Sequence, residues 1–222
     1  LDEVKARLER LYVQPFGNLE ELKKQLGSAA IPDGAIFYGS SGNGKTLTAK
    51  VLARELGLPF YETKLSDVAS PYIHDVSKNI RSMAKQLNDK YEKTGEMSVW
   101  FLDEFDSLGE ARDGQTASHK QEVTNTLLQE LNNPSSKGYI LIAATNNLDG
   151  VDTALKRRGR LGNWIEFSSP TRDEIIDIVR KNLSKTPFTQ KYSKNREFLE
   201  KIEKEFEGSS ISSIVSVLTD AK

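Results

Sequence analysis

The feature that constrains this chain most is a short glycine-rich stretch between an apolar run and a helical pattern. The stretch consists of Gly39, Ser40, Ser41, Gly42, Asn43, Gly44, Lys45 and Thr46, and Leu47 follows it. Residues 35–38 before it are apolar, and residues 45–56 after it have helical spacing that ends at Gly57. A strand, a glycine-rich loop and a helix are therefore expected in that order, as at the start of a parallel α/β unit.

The loop fits the pattern G-x-x-x-x-G-K-[ST], which holds phosphate groups. Its glycines let consecutive backbone N–H groups face one anion, and the following helix adds the positive end of its dipole. Lys45 supplies a charge for β- and γ-phosphate oxygens, and the Thr46 hydroxyl is a ligand for Mg²⁺. A serine- and glycine-rich turn with a chance Lys-Thr pair is the alternative, and the strand and helix on either side disfavour it. Residues 39–47 are thus predicted to bind a nucleotide.

Composition excludes several other classes of protein. The 222 residues include no cysteine, which rules out disulfide frameworks and cysteine-ligated metals. The 31 Lys and Arg residues nearly balance 32 Asp and Glu residues, so a strongly basic nucleic-acid binder is disfavoured. The apolar runs are far shorter than the roughly 18 residues of a membrane helix, and the first residues do not resemble a signal peptide. We expect a cytoplasmic protein, in the cytosol or another reducing compartment. We also expect that residues 1–222 make no contact with a membrane.

Strand and helix patterns alternate up to residue 168 and then give way to helices alone. Strands are predicted at residues 35–38, 59–63, 98–102, 138–144 and 164–167, and helices at residues 1–12, 19–26, 45–56, 75–91 and 119–132. Three more helices are predicted at residues 171–183, 195–206 and 209–220, the first of them beginning with a capping box of Thr171 and Glu174. The prediction is an α/β domain of parallel strands over residues 1–168, followed by a small helical domain over residues 169–222.

Polar side chains follow two of the buried strands. Asp103 and Glu104 come directly after the apolar run 99–102, and Asn146 follows the run 140–145. The carboxyl ends of parallel strands are where open α/β sheets bind ligands. Asp103 is therefore a candidate Mg²⁺ ligand, Glu104 a general base for an attacking water, and Asn146 a residue that orients that water. Solvated strand ends and an ordinary turn asparagine are the alternatives.

The densest basic cluster spans residues 156–160 and includes Arg157 and Arg160. It allows three interpretations, namely a solvated turn, a nucleic-acid or localisation patch, and arginines that stabilise the transition state of phosphoryl transfer. The cluster alone does not choose among them.

Taken in order, these motifs resemble an AAA ATPase module of the substrate-remodelling group, which includes FtsH-type, proteasomal and valosin-containing-protein-like ATPases. The resemblance covers almost the whole chain. The loop matches the family's Walker A motif, residues 100–108 its Walker B motif, residues 144–146 its sensor 1, and residues 152–160 the stretch with its arginine fingers. It implies a P-loop NTPase (AAA+) sheet of strand order 5-1-4-3-2 with a helical lid, and hydrolysis of ATP with Mg²⁺.

The resemblance also implies partners. Arg157 and Arg160 would act on ATP held by a neighbouring subunit, so the expected assembly is a homo-oligomeric ring, a hexamer, with sites completed in trans. Tyr72 and Ile73 align with the aromatic–aliphatic pair that grips a polypeptide in the family's central pore. The expected partner is therefore a protein substrate or adaptor, with no nucleic acid.

Four departures indicate a divergent member. His74 replaces the usual glycine after the pore pair, and Pro71 precedes Tyr72. Ser40 and Ser41 replace two prolines of the Walker A motif. The stretch 158–163 differs from the usual P-G-R-F-D-R, and residues 208–214 differ from the lid's usual G-x-S-G-A-D-I.

Two other functions stay open from the sequence, namely a nucleic-acid-associated AAA+ motor or loader and a nucleotide-gated scaffold that hydrolyses slowly. The balanced charge disfavours the nucleic-acid motor. The presence of Lys45, Asp103, Glu104 and Asn146 together disfavours the slow scaffold. A GTPase is disfavoured because Asn147, and not lysine, follows Asn146. By comparison with family modules, we expect a recognition domain before Leu1 and a lid that continues past Lys222.

Overall fold

The structure, a computed structural model, describes residues 2–26, 32–65, 74–105, 114–132, 138–184, 192 and 195–220. Five strands form one sheet, and their bounds are β1 Ala35–Tyr38, β2 Phe60–Lys64, β3 Ser98–Asp103, β4 Tyr139–Thr145 and β5 Asn163–Glu166. Their order is β2-β3-β4-β1-β5 and all neighbouring pairs are parallel. This confirms the predicted parallel α/β fold, and read from β5 it is the strand order that the resemblance implies.

The predicted strands agree with the observed ones within about two residues because their sequence signal is strong. All seven residues of β4 are buried, as are five of the six residues of β3. Such continuous apolar runs are typical of parallel strands that are covered on both faces. Asp103, the last residue of β3, is half-buried, which places its carboxylate at the edge where ligands bind.

The helices occupy the intervals between the strands and the C-terminal part of the chain. Their bounds are α1 Asp2–Leu8, α2 Gln14–Gly17, α3 Leu19–Leu26, α4 Lys45–Glu55, α5 His74–Thr94, α6 Gly114–Leu131, α7 Arg172–Leu183, α8 Arg196–Glu205 and α9 Ile211–Asp220. The predicted first helix, residues 1–12, differs in two respects, since a π-helical turn, Glu9–Val13, joins α1 to α2 and the helical segment continues to Gly17. Within the described part of the chain, no helix has the length and apolar character needed to cross a bilayer.

The chain divides into two compact units. The sheet unit comprises Asp2–Tyr38 and Thr46–Glu166, and the lid unit combines Gly39–Lys45 with Phe167–Lys222. The phosphate-loop residues 39–45 thus cluster with the C-terminal helices, although they directly follow the first strand in sequence.

The core of the sheet unit contains buried residues from β1, β3, β4, α5 and α6, including Ile36, Leu102, Leu141, Ile80 and Leu127. Helices α5 and α6 bury one face each against the sheet, because their apolar residues recur at helical spacing. Burying residues of this size contributes about 1.5–3 kcal/mol each. This core holds the carboxyl ends of the strands in fixed positions.

The lid unit has a smaller core of its own. Buried residues of α7, α8 and α9 form it, among them Val179, Leu199 and Ile214. The predicted capping box is confirmed, because the Thr171 hydroxyl accepts a hydrogen bond from the Glu174 N–H and the Glu174 carboxylate accepts one from the Thr171 N–H. Both bonds satisfy backbone donors at the start of α7 that have no partner within the helix.

Candidate nucleotide-binding and catalytic site

The phosphate loop begins where β1 ends and leads into α4. Its glycines Gly39, Gly42 and Gly44 have φ angles of 132°, 79° and 90°. Residues other than glycine rarely adopt positive φ angles of this size, so the path of the loop depends on having glycine at these three positions. The observed strand–loop–helix order is the context in which the Walker A pattern binds phosphate.

Lys45 lies over its own loop. Its ammonium group donates hydrogen bonds to the carbonyl oxygens of Gly39 (2.5 Å) and Ser40 (3.1 Å), and the residue is only 8% exposed. The positive charge is therefore held at the loop, where phosphate oxygens are expected. Leu47, the last of the predicted nucleotide-binding residues, lies on α4 with its side chain 67% exposed.

Thr46 and Asp103 meet within the sheet unit. The Thr46 hydroxyl donates a 3.0 Å hydrogen bond to Oδ2 of Asp103. The start of α4 and the end of β3 thus bring together a hydroxyl and a carboxylate oxygen. Mg²⁺ prefers hard oxygen ligands, and with nucleotides it is held by one or two protein groups, phosphate oxygens and water. The donor set at Thr46 and Asp103 fits that ion.

Glu104 follows β3 in an unusual backbone conformation. Among the described residues it is the one non-glycine with a positive φ, 56°, and its N–H donates a 2.9 Å hydrogen bond to Oδ1 of Asp103. A left-handed conformation costs any residue that has a Cβ atom roughly 1–2 kcal/mol. Strain of this kind is concentrated at functional sites, where the surrounding structure maintains it. In a strand, successive side chains point to opposite faces of the sheet. Because the backbone turns at Glu104, its side chain is not forced to point opposite to that of Asp103.

Asn146 lies directly after β4, the neighbour of β3. The register pairs Leu102 with Ala143, so Asp103 and Asn146 lie at the same edge of the sheet. The turn at this point is fixed by Thr145, whose hydroxyl accepts a hydrogen bond from the Asn147 N–H at 3.0 Å and donates one to the Asn147 carbonyl at 3.2 Å. Asn146 itself is exposed.

The two predicted arginine fingers have different environments. Arg160 is half-buried, and its guanidinium donates to the Ala154 carbonyl (2.7 Å) and to Oδ1 of Asn132 (2.8 Å). Arg157 is exposed, and its carbonyl accepts the Arg160 N–H at 3.2 Å. Arg160 therefore fixes the basic turn, residues 156–160, to the end of α6. The side chain of Arg157, in the same turn, is exposed to solvent.

Asp33 is a residue of this region that the sequence analysis did not select. Its Oδ2 accepts the N–H of Gly159 at 2.9 Å, between the arginines. Its carbonyl accepts the Tyr12 hydroxyl (2.9 Å) and the Asn163 amide (3.2 Å). Burial raises the pKa of Tyr12, so its hydroxyl stays protonated and donates. An aspartate before Gly34 resembles an ordinary turn residue in sequence, and nothing there indicates a contact with residue 159.

The predicted pore residues Tyr72 and Ile73 lie outside the described residues. Three of the predicted site residues lie at one edge of the sheet, namely Asp103, Glu104 and Asn146. Thr46 is connected to this edge by its hydrogen bond to Asp103.

Several known proteins are similar to this chain in sequence. The model of the family "ATPase family associated with various cellular activities (AAA)" matches residues 35–169. ATPase family gene 2 protein of Saccharomyces cerevisiae is 33% identical over 181 residues, covering 81% of this chain and 22% of that protein. ATP-dependent zinc metalloprotease FtsH 2 of Thermoanaerobacter sp. is 32% identical over 194 residues, covering 87% of this chain and 36% of that protein.

A third relative is Cell division control protein 48 homolog C of Arabidopsis thaliana, 33% identical over 199 residues, with 83% of this chain and 23% of the relative covered. The chain thus spans between 22% and 36% of the length of these three relatives. The family match extends over the Walker A loop, the β3 acidic pair, Asn146 and the arginine turn. The chain therefore belongs to the AAA family of ATPases, in the group that includes FtsH and Cdc48 proteins, as its motifs predict.

Proposed function

We propose that this chain hydrolyses ATP with Mg²⁺ within a ring-shaped homo-oligomer and uses the energy to remodel, unfold or translocate protein substrates. The pairing of Thr46 with Asp103 carries the ATPase part, because it joins the helix after the phosphate loop to the strand that ends in the acidic pair. Family membership supports the protein-directed part, since relatives include a metalloprotease and a Cdc48 homologue. The proposed location is the cytosol or another reducing compartment.

Each residue of the proposed site has one chemical task. Lys45 neutralises β- and γ-phosphate charge, and Thr46 and Asp103 hold Mg²⁺, which supplies Lewis-acid stabilisation of the phosphate oxygens. Glu104 accepts a proton from the water that attacks the γ-phosphorus, and Asn146 orients that water. Positioning and charge stabilisation account for most of the catalysis in this reaction.

The arginines complete the site of a neighbouring subunit in this proposal. Arg157, which is exposed, contacts the transferred phosphoryl group of the neighbour's ATP. Arg160 contributes by holding the turn through Ala154 and Asn132. A hexameric ring is the proposed assembly, with Tyr72 and Ile73 contacting the polypeptide in its pore.

A Glu104→Gln variant tests the ATPase proposal. The amide is nearly the same size as the carboxylate but cannot accept the proton, so we expect ATP binding and assembly to persist while turnover is lost. Binding is measured with Mg-ATP by calorimetry, assembly by analytical ultracentrifugation, and turnover by phosphate release. Turnover at the wild-type rate would remove Glu104 from the mechanism.

The same variant tests the protein-directed part of the proposal. A ring that binds ATP without hydrolysing it should retain its substrates, which mass spectrometry of material co-purified from cells would identify. Lys45→Ala, which is expected not to bind ATP, serves as the matched control. Recovery of nucleic acid in place of protein, with salt-sensitive stimulation of the ATPase, would favour a nucleic-acid motor instead.

A further inference from the structure

Within the lid unit, the phosphate loop caps the start of α9. The N–H of Ile211 donates to Oδ1 of Asn43 (3.4 Å), and the N–H of Ser212 donates to the carbonyl of Gly42 (3.0 Å). These are the first two N–H groups of Ile211–Asp220, which have no acceptor inside their own helix. The loop therefore satisfies backbone donors that a helix usually leaves to its own cap or to water.

Asn43 makes a second contact on its other side. Its Nδ2 donates to the carbonyl of Phe167 (3.3 Å), and the residue is only 1% exposed. One buried amide thus accepts from the start of α9 and donates to the segment that follows β5. A carboxamide can do both, whereas a carboxylate lacks the donor and an aliphatic side chain lacks both groups.

The glycines of the loop allow this close approach. A Cβ atom at Gly42 would lie 2.2 Å from the Ser212 hydroxyl, and a Cβ atom at Gly39 would lie 2.2 Å from the Phe167 carbonyl oxygen. At Gly39 the obstacle is backbone, and at Gly42 it is a serine hydroxyl that could rotate away, although the positive φ of Gly42 still disfavours a side chain. The loop is thus in direct contact with Phe167 and the start of α9, and Asn43 is the side chain that bonds to both.

We propose that Asn43 is a positioning residue that couples the phosphate loop to the lid helix α9, so that nucleotide binding at the loop is transmitted to the lid. This inference rests on the proposed nucleotide binding and adds a residue through which it is transmitted. A loop that rearranges around phosphate must carry Asn43 with it, because leaving the buried amide unpaired is costly. Occupancy of the loop and order at the start of α9 therefore change together.

Two variants separate this role from simple helix capping. Asn43→Ala removes the side-chain bond from the loop to Ile211 and leaves the backbone bond between Gly42 and Ser212 in place. Ser210→Ala is the matched control, because it removes another cap of the same helix, the Ser210 hydroxyl that accepts the Ser213 N–H at 3.2 Å, without touching the loop's two bonds to α9. Asn43→Asp keeps an acceptor for Ile211 and tests whether that one bond is responsible.

The first measurement is NMR-detected amide exchange of the nucleotide-free chain. We expect Asn43→Ala to accelerate exchange at Ile211 about tenfold, the equivalent of one hydrogen bond, while Ser212 keeps its bond to the Gly42 carbonyl. Ser210→Ala should accelerate only Ser213, and Asn43→Asp should keep Ile211 protected. Unchanged exchange at Ile211 in a folded Asn43→Ala variant, with folding checked by its thermal midpoint, would overturn the proposed link.

The second measurement adds Mg-ADP and Mg-ATP. In the wild type, ADP should change exchange at the start of α9, and in Asn43→Ala this response should be lost although saturating ADP still binds. The KM for ATP should rise about tenfold in Asn43→Ala with kcat changed less, and it should stay unchanged in Ser210→Ala. Equal KM values in the two variants would overturn the coupling. If the wild type binds no nucleotide, the proposed function fails, while exchange in the nucleotide-free chain still decides whether Asn43 links loop and lid.

Discussion

The hydroxyl of Thr46 and the carboxylate of Asp103 are joined by a 3.0 Å hydrogen bond. The bond places two oxygen donors, one from the start of α4 and one from the end of β3, next to each other. Adjacent hard oxygen donors of this kind are what Mg²⁺ requires of a protein site.

Substitution of Thr46 tests this arrangement. Thr46→Ala should abolish Mg²⁺-dependent turnover and lower the free energy of unfolding by roughly 1–2 kcal/mol, since a hydrogen bond to a charged acceptor is lost. Thr46→Ser keeps the hydroxyl and should keep most of both properties. Turnover against Mg²⁺ concentration and urea denaturation are the measurements. Full activity in Thr46→Ala would show that the hydroxyl is not a metal ligand.

The positive φ of Glu104 predicts an inverted order of stability for two substitutions. At most positions alanine is more stabilising than glycine, but at φ 56° glycine avoids the left-handed penalty of roughly 1–2 kcal/mol. Glu104→Gly should therefore be more stable than Glu104→Ala by about 0.5–1 kcal/mol, although both lack the catalytic base. Chemical denaturation measures the difference, and a more stable alanine variant would mean that the strain is absent in solution.

Arg157 and Arg160 should give different results when each is replaced by alanine. Arg157→Ala removes an exposed side chain, so its stability should change by less than about 0.5 kcal/mol. Its turnover in the assembled ring should fall by roughly 10³-fold or more, as for a lost arginine finger. Arg160→Ala should lower the free energy of unfolding by about 1–3 kcal/mol, because two hydrogen bonds are broken.

Both arginine variants should still bind nucleotide. Unfolding curves, together with ATPase activity as a function of protein concentration, distinguish the two roles. Specific activity of the wild type that does not depend on concentration would argue against sites completed between subunits. A stable, inactive Arg160→Ala variant would instead make Arg160 a direct phosphate ligand.

Asp33 offers a test of the arginine turn that leaves the arginines intact. Asp33→Ala removes the acceptor of the Gly159 N–H, and we expect turnover in the assembled state to fall about tenfold, as for one lost hydrogen bond. Asp33→Asn keeps a side-chain oxygen and should retain most of the activity. Nucleotide affinity, measured by calorimetry, should be unchanged in both. A loss of affinity in Asp33→Ala would indicate general disruption of the sheet unit.

The fold was largely predictable because its signals are local. Apolar runs such as 139–144 are typical of buried parallel strands, and the capping box of Thr171 and Glu174 marks the start of α7. The Walker A loop, the acidic pair after β3 and Asn146 are recognisable as candidates for the same reason, since each is a short pattern at the end of a strand. The strand order was available only through the family resemblance.

What could not be predicted depends on contacts between distant segments. Arg160 and Asn132 are far apart in sequence, so the cluster at residues 156–160 gave no reason to separate the two arginines. Asp33 and Asn43 look like turn residues until the fold brings Gly159 and Ile211 to them. The left-handed turn at Glu104 is likewise imposed by its surroundings, because glutamate has no preference for it.

The position of β1 in the sheet has a consequence for biosynthesis. Ala35 pairs with Ile142 on one side and with Asn163 on the other, so both neighbours of this strand are synthesised long after it. Pairings between residues so distant in sequence form slowly, since loop closure must precede the contacts that reward it. During translation, the strand that carries the phosphate loop must therefore wait as an unpaired apolar segment until β4 and β5 emerge, and this interval is when the nascent chain is most exposed to aggregation.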